Sequence, residues 1–142
     1  MKNLLLQFSF SFLATMSFSI IINIPKHYLL WSGFTGTFGW LVYWLCVSFS
    51  ESKVFSALLA SLGIAFISNL FSKKMKTPTM IFIIPGMFLL VPGSLAYQVV
   101  RNFVMGFYQE AVSNMVQVVM ISGAIALGVV LSEIFENSIG NN

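Results

Sequence analysis

Charged side chains are scarce in this sequence of 142 residues. Only 8% of the residues are charged, whereas 58% are hydrophobic. In a soluble domain about a quarter of the residues are charged, because its surface must face water. The mean hydropathy of +0.91 therefore excludes an ordinary soluble domain and favours a protein whose solvent is a lipid bilayer.

Groups that carry catalysis or bind metals are also few. The sequence has four acidic residues, one histidine and one cysteine. Cys46 alone can form neither an intramolecular disulfide nor a Cys-rich metal site. An intramembrane enzyme needs paired carboxylates, a nucleophile with a base, or metal ligands. Glu133 and Glu136 are interpreted as solvated beside a polar tail, and nothing positions His27. We predict no enzyme, no cofactor and no metal site.

The seven basic residues give a net charge of +3, and three of them, Lys73, Lys74 and Lys76, cluster in one loop. A nucleic-acid-binding face needs many phosphate contacts, so this cluster indicates membrane topology and no nucleic-acid partner. Basic loops stay on the cytoplasmic side. With five crossings of the membrane, the C-terminus is expected to be cytoplasmic.

Apolar runs separated by polar residues predict an all-α, polytopic membrane protein. About 20 residues are needed to cross a bilayer. We expect residues 1–142 to form a single transmembrane domain of about five helices. The helices are expected near residues 4–24, 28–49, 54–72, 79–100 and 111–134. The first run could instead be a cleaved signal peptide, but it continues to Pro25 without a plausible cleavage site, which favours a retained helix.

Small residues recur at helical spacing in three predicted helices. Such residues allow membrane helices to approach closely. They are Ser32, Gly33, Gly36 and Thr37 in the second helix, Ala57, Ser61 and Ala65 in the third, and Ala124 and Gly128 in the fifth. We interpret these residues as packing positions; the alternative for the stretch "GFTGTFG" is that it lines a substrate path.

Two Pro-Gly pairs lie seven residues apart within the fourth apolar run. The pairs are Pro85–Gly86 and Pro92–Gly93. Because proline has no N–H, the carbonyls of Ile81 and Phe88 are expected to lose their helical partners. Open backbone at membrane depth is tolerated only beside protein or a water-filled cavity. The sequence therefore predicts that the fourth helix is broken by both pairs.

After the second pair, Ser94 is expected to cap a new half-helix, and Ser94, Tyr97 and Arg101 share one face of it. Broken helices of this kind hold ionic substrates in many transporters, because the helix ends carry partial charges. The alternative is a kinked structural helix in which Arg101 only reaches towards the membrane surface.

The stretch "IIPGMFLLVPGSLAY" resembles the proline-glycine signature of the threonine/serine exporter family, in its C-terminal half, which also occurs as a separate small subunit. The stretch "INIPKHYLLWSGFTGTFGW" is similar to the same family. The resemblance implies an inner-membrane component that exports threonine and serine or, in some relatives, a dicarboxylate such as succinate. It also implies a second membrane subunit that carries the N-terminal half of the exporter.

We therefore expect one subunit of a two-component exporter that works by alternating access. The open alternatives are a dicarboxylate exporter subunit and a membrane scaffold that does not transport. The candidate substrate-binding residues are Pro85, Gly86, Pro92, Gly93, Ser94, Tyr97 and Asn23. In this hypothesis, the substrate carboxylate meets the N–H groups near Ser94, and its ammonium meets the carbonyls freed by the prolines.

Overall fold

The computed structural model describes residues 2–140, apart from the side chain of Lys2. This part of the chain is helical and contains no strand. The helices are α1 (Lys2–Ile21), α2 (Lys26–Ser50), α3 (Lys53–Met75), α4 (Met80–Phe88), α5 (Gly93–Val104) and α6 (Tyr108–Gly140). The predicted all-α class is confirmed.

The expected count of five helices is not confirmed, because the fourth apolar run forms two separate helices, α4 and α5. Three helices, α1, α3 and α6, are long and apolar enough to cross a membrane. The bent pair α4 and α5 brings the number of candidate spans to four. Although α2 has 25 residues, it does not pass this test, because serine, threonine and glycine dilute its apolar residues.

Left-handed residues end α1, α2 and α3; at the end of α2, Glu51 has a φ of 55°. Asn23 has a φ of 61°, and the N–H of Ile24 after it donates to the carbonyl of Ser19 over 3.0 Å. Lys76 ends α3 in the same way, with a φ of 52°. These bonds satisfy carbonyls that the last helical turn leaves without a partner.

Helix α2 lies at the centre and packs against α1, α3 and α4. Its buried residues are all small: Ser32, Gly33, Thr35, Gly36, Thr37 and Gly39. A side chain on Gly36 would collide with Thr15 of α1, and one on Gly39 would collide with Ile64 of α3. The predicted packing role of "GFTGTFG" is confirmed, because both faces of this stretch touch neighbouring helices.

Helices α3 and α6 pack side by side and run in the same direction. Ser61 of α3 occupies the space in which Gly128 of α6 would carry a side chain. Near their C-terminal ends, the Lys73 ammonium forms an ion pair with Glu136 at 2.5 Å. We call this end of the bundle, which carries Lys73, Lys74 and Lys76, the lysine end. Helix α4 also begins there, because it follows α3 after a short turn.

Hydroxyl groups make up the buried polar side chains of the described residues. Most of them bond to a carbonyl one turn earlier; Thr15 donates to Ser11 over 2.8 Å, and Thr35 donates to Trp31 over 2.9 Å. A buried hydroxyl without a partner is costly, so these local bonds let small polar residues serve as apolar packing surface.

Candidate functional site

The first Pro-Gly pair does not break its helix. Helix α4 continues through Pro85 and Gly86 to Phe88, and both residues of the pair are buried. Pro85 deprives the carbonyl of Ile81 of its helical donor. The Ser32 hydroxyl, whose shorter hydrogen bond goes to the Tyr28 carbonyl at 2.9 Å, lies 3.4 Å from this carbonyl as a second, weaker contact. The predicted break at this pair is wrong, because α4 stays helical through Pro85 and packs closely against its neighbours.

Gly86 allows α4 to lie close to two other helices. A side chain there would place its Cβ 2.9 Å from Ile64 of α3 and 3.1 Å from Thr35 of α2. The ring of Phe82, one turn earlier, is fully buried and packs edge-on against Tyr28 with centroids 5.9 Å apart. The first Pro-Gly pair therefore lies in a packed three-helix contact, where its backbone is covered.

The second Pro-Gly pair does interrupt the helix. The chain leaves the helical path at Leu89 and resumes it at Gly93, and the axes of α4 and α5 differ by 49°. Pro92 is the N-cap residue of α5, and no side chain caps this end. The expected cap by Ser94 is not formed, because the helix begins one residue before Ser94. The first turn of α5 consequently keeps N–H groups that no side chain satisfies.

A cavity of about 260 Å³ lies beside this break. Its wall includes Pro92 and Ser94 from the break and Lys53 from the first turn of α3. Trp40, Tyr43 and Ile121 form part of the remaining surface. The positive end of the α5 dipole and the Lys53 ammonium thus border the same space, which is an arrangement that attracts an anion.

A larger and more open cleft, of about 770 Å³, runs between α5 and the first two turns of α6. We call it the polar cleft. It is lined by Ser94, Tyr97, Gln98, Arg101, Asn102, Gln109, Glu110, Ser113 and Asn114. The predicted common face of Ser94, Tyr97 and Arg101 is confirmed, because all three line this cleft. Ser94 and Gln98 also line the cavity at the break, so the two spaces adjoin.

The polar cleft lies at the end of the bundle opposite the lysine end. Residues 51–54, at the start of α3, lie beside Ser113 and Gln117 of α6. Helix α6 has 33 residues, and at about 1.5 Å per residue it is longer than a bilayer core of about 30 Å. Its first residues extend past the start of α3, which places the cleft towards the membrane surface.

The seven residues predicted to bind substrate fall into three places. Pro92, Gly93, Ser94 and Tyr97 lie together at the break and along the polar cleft. Pro85 and Gly86 are buried in the contact between α4, α2 and α3. Asn23 lies in the turn between α1 and α2, at the lysine end, where its positive φ accounts for the choice of asparagine.

Sequence reasoning missed several residues that line these spaces. Gln98 follows Ser94 by one turn, so the face of α5 could have revealed it. Lys53 could not have been found in this way, because it reaches the cavity only through the packing of α3 beside the break.

Comparison with known protein families gives a match over most of the chain. The model of a protein family described as "Threonine/Serine exporter, ThrE" matches residues 7–135. The matched range includes both Pro-Gly pairs and every residue that lines the polar cleft. No curated protein and no solved structure matches the chain.

Proposed function

The chain belongs to the threonine/serine exporter family, and from this premise we propose that it is one subunit of a two-component exporter that moves threonine and serine by alternating access. Family membership makes it a membrane transporter component. Its apolar helices agree with this assignment. We place it in the inner membrane, with several crossings and a cytoplasmic lysine end, because basic loops stay on the cytoplasmic side.

The observation that carries the proposal is the helix break that opens onto a cavity. The first turn of α5, whose N–H groups no side chain caps, and Lys53 both border the cavity of about 260 Å³. In the proposed mechanism the substrate carboxylate binds there, and the hydroxyls of Ser94 and Tyr97 contact the polar side chain. Pro85 and Gly86 support the site indirectly, because they fix α4 against its neighbours.

The packing of α5 supports the proposal that this helix moves during transport. Helix α4 packs against α1, α2 and α3, whereas α5 packs against α6 alone among the described helices. A rotation of α5 with the start of α6 would need little rearrangement of the remaining bundle. The break at residues 89–92 would act as the hinge, since hinges are short segments that absorb backbone rotation.

A second subunit could supply an acidic group for proton coupling, which the described residues of this chain do not supply. Transport driven by a proton gradient usually needs an ionisable acid at membrane depth. None of the four glutamates is buried: Glu51, Glu110 and Glu133 are exposed, and Glu136 is half-buried and paired with Lys73. We therefore assign any proton-coupling acid to the second membrane subunit.

A dicarboxylate is the second candidate substrate, and one observation favours it. Two cations, Lys53 and Arg101, lie on either side of Ser94 in the adjoining spaces and could each bind a carboxylate. An amino acid has a single carboxylate for the two cations, whereas a dicarboxylate has one for each. Efflux measurements distinguish the two substrates.

The test is the efflux of labelled threonine, serine and succinate from cells that express the chain with and without the second subunit. We expect threonine and serine efflux only when both subunits are present. If the cells export succinate but neither threonine nor serine, the substrate is a dicarboxylate. Efflux that is the same in cells lacking this chain would identify it as a scaffold and contradict the proposal.

A further inference from the structure

Arg101 and Glu110 carry opposite charges on facing helices of the polar cleft, yet they do not pair. Both line the cleft, Arg101 from the last turn of α5 and Glu110 from the first turn of α6. Among the side chains described, from residue 3 to residue 140, the one ion pair joins Lys73 and Glu136. The guanidinium and the carboxylate in the cleft are thus each free to bind another charge.

The rest of the lining suits a small polar ligand without net charge. Arg101 and Glu110 are the two charged residues among the nine that line the cleft, so their formal charges cancel. Four neutral amides surround them: Gln98, Asn102, Gln109 and Asn114. Amides offer both donors and acceptors, and Ser94, Tyr97 and Ser113 add hydroxyls. A dianion would find one attractive and one repulsive group here.

We propose that Arg101 and Glu110 form a subsite for the zwitterionic head of an α-amino acid. Arg101 binds the carboxylate, and Glu110 binds the ammonium. This inference rests on the proposed function, because it takes the exported solute to be an amino acid. The subsite adjoins the cavity at the break through Ser94 and Gln98 and lies at the end opposite the lysine end. It therefore selects amino acids over dicarboxylates at the mouth of the transport path.

The test uses two variants and ligands that lack one charge each. Labelled L-threonine is bound at equilibrium to membrane vesicles from cells that produce the full chain in its native assembly. Threoninamide, which lacks the carboxylate, 3-hydroxybutyrate, which lacks the ammonium, and succinate serve as competitors. The variants are Arg101→Gln and Glu110→Gln. The matched controls are Lys26→Gln, at the lysine end, and Glu51→Gln, which is exposed near the start of α3.

Because the cleft is open to water, we expect each variant to weaken threonine binding by about fivefold. Arg101→Gln should leave the affinity for threoninamide unchanged, and Glu110→Gln should leave that for 3-hydroxybutyrate unchanged. Glu110→Gln should also strengthen competition by succinate. The two controls should bind threonine as the natural protein does.

Three outcomes would overturn the subsite. The variants could bind all ligands normally, which would make the two charges interfacial anchors only. They could weaken every ligand equally, or only lower the amount of assembled protein, which would indicate a structural role or a subunit contact. If any of these three occurs while threonine efflux still depends on the chain, the proposed function stands without the subsite. If the natural protein binds succinate but no threonine, both the amino-acid subsite and the proposed export of threonine and serine are wrong.

Discussion

Gly128 and Gly123 lie five residues apart on α6, but only Gly128 touches another helix. A methyl group at Gly128 would collide with Ser61, whereas one at Gly123 would meet nothing within 4 Å. We expect Gly128→Ala to lower the free energy of unfolding by about 1–3 kcal/mol, because overpacking forces neighbouring atoms apart. Unfolding in detergent micelles measures this loss.

The matched control is Gly123→Ala. It should be neutral or stabilise by up to about 1 kcal/mol, because alanine is the better helix former. Equal losses in the two variants would mean that α3 and α6 do not pack through Gly128.

At single residues, the sequence predicts packing better than it predicts a site. The positions of Ser61 and Gly128 follow from helical spacing, and the structure confirms that they meet. Asn23 is predicted to bind substrate, and the structure places it in the turn after α1, away from the break at Pro92, with a positive φ. Asparagine is suited both to a left-handed turn and to hydrogen bonding with a ligand, so the residue type alone does not distinguish the two roles.

Helix α4 keeps its course through Pro85, and the Ser32 hydroxyl, which also bonds to the Tyr28 carbonyl at 2.9 Å, lies 3.4 Å from the carbonyl of Ile81. We expect Ser32→Ala to cost about 1 kcal/mol of unfolding free energy in the natural background. In a Pro85→Ala background, the new N–H of residue 85 can bond to Ile81 itself, and Ser32→Ala should cost less. A double-mutant cycle in detergent measures the difference. The same cost in both backgrounds would show that the Ser32 contact contributes nothing to α4.

At the scale of helices, the apolar runs predict five helical segments, and the second Pro-Gly pair predicts the interruption between α4 and α5. The two Pro-Gly pairs look alike in sequence, yet they behave differently in the structure. Pro85 lies where α2 offers a hydroxyl, and Gly86 lies between Ile64 and Thr35. A Cβ added at Gly93 would meet nothing within 4 Å, so no neighbouring helix packs closely on this glycine as α2 and α3 pack on Gly86. The difference depends on contacts between helices, which local sequence does not encode.

The parallel arrangement of α3 and α6 predicts that their C-terminal ends lie on one side of the membrane. The single cysteine makes this testable in a Cys46→Ser background. Cysteines at Lys74 and Ser138 should react alike with a membrane-impermeant maleimide, and one at Gln109 should react from the other side. We expect only the cysteine at Gln109 to be labelled in intact cells. Labelling of Lys74→Cys and Ser138→Cys from opposite sides would contradict the arrangement.

For the molecule as a whole, composition predicts a membrane protein and the Pro-Gly signature predicts the family. The cavity and the polar cleft could not be foreseen in full. The cavity needs Lys53 of α3, which is distant in sequence from the break, and the polar cleft depends on how α6 turns back beside α5. Part of the lining still follows from the face of α5, which carries Ser94, Tyr97 and Arg101.

The central claim is that the break at Pro92 serves transport, and a Pro92→Ala, Gly93→Ala double variant tests it most directly. Alanine at both positions lets the helix close across residues 89–92 and removes the free N–H groups of α5. Threonine efflux should fall by at least about tenfold, because a charged ligand loses its hydrogen bonds. The amount of assembled protein should not change. A Pro78→Ala, Gly123→Ala variant, altered outside the break, should export normally. Normal threonine efflux by the Pro92→Ala, Gly93→Ala variant would contradict the account and make the break a structural kink.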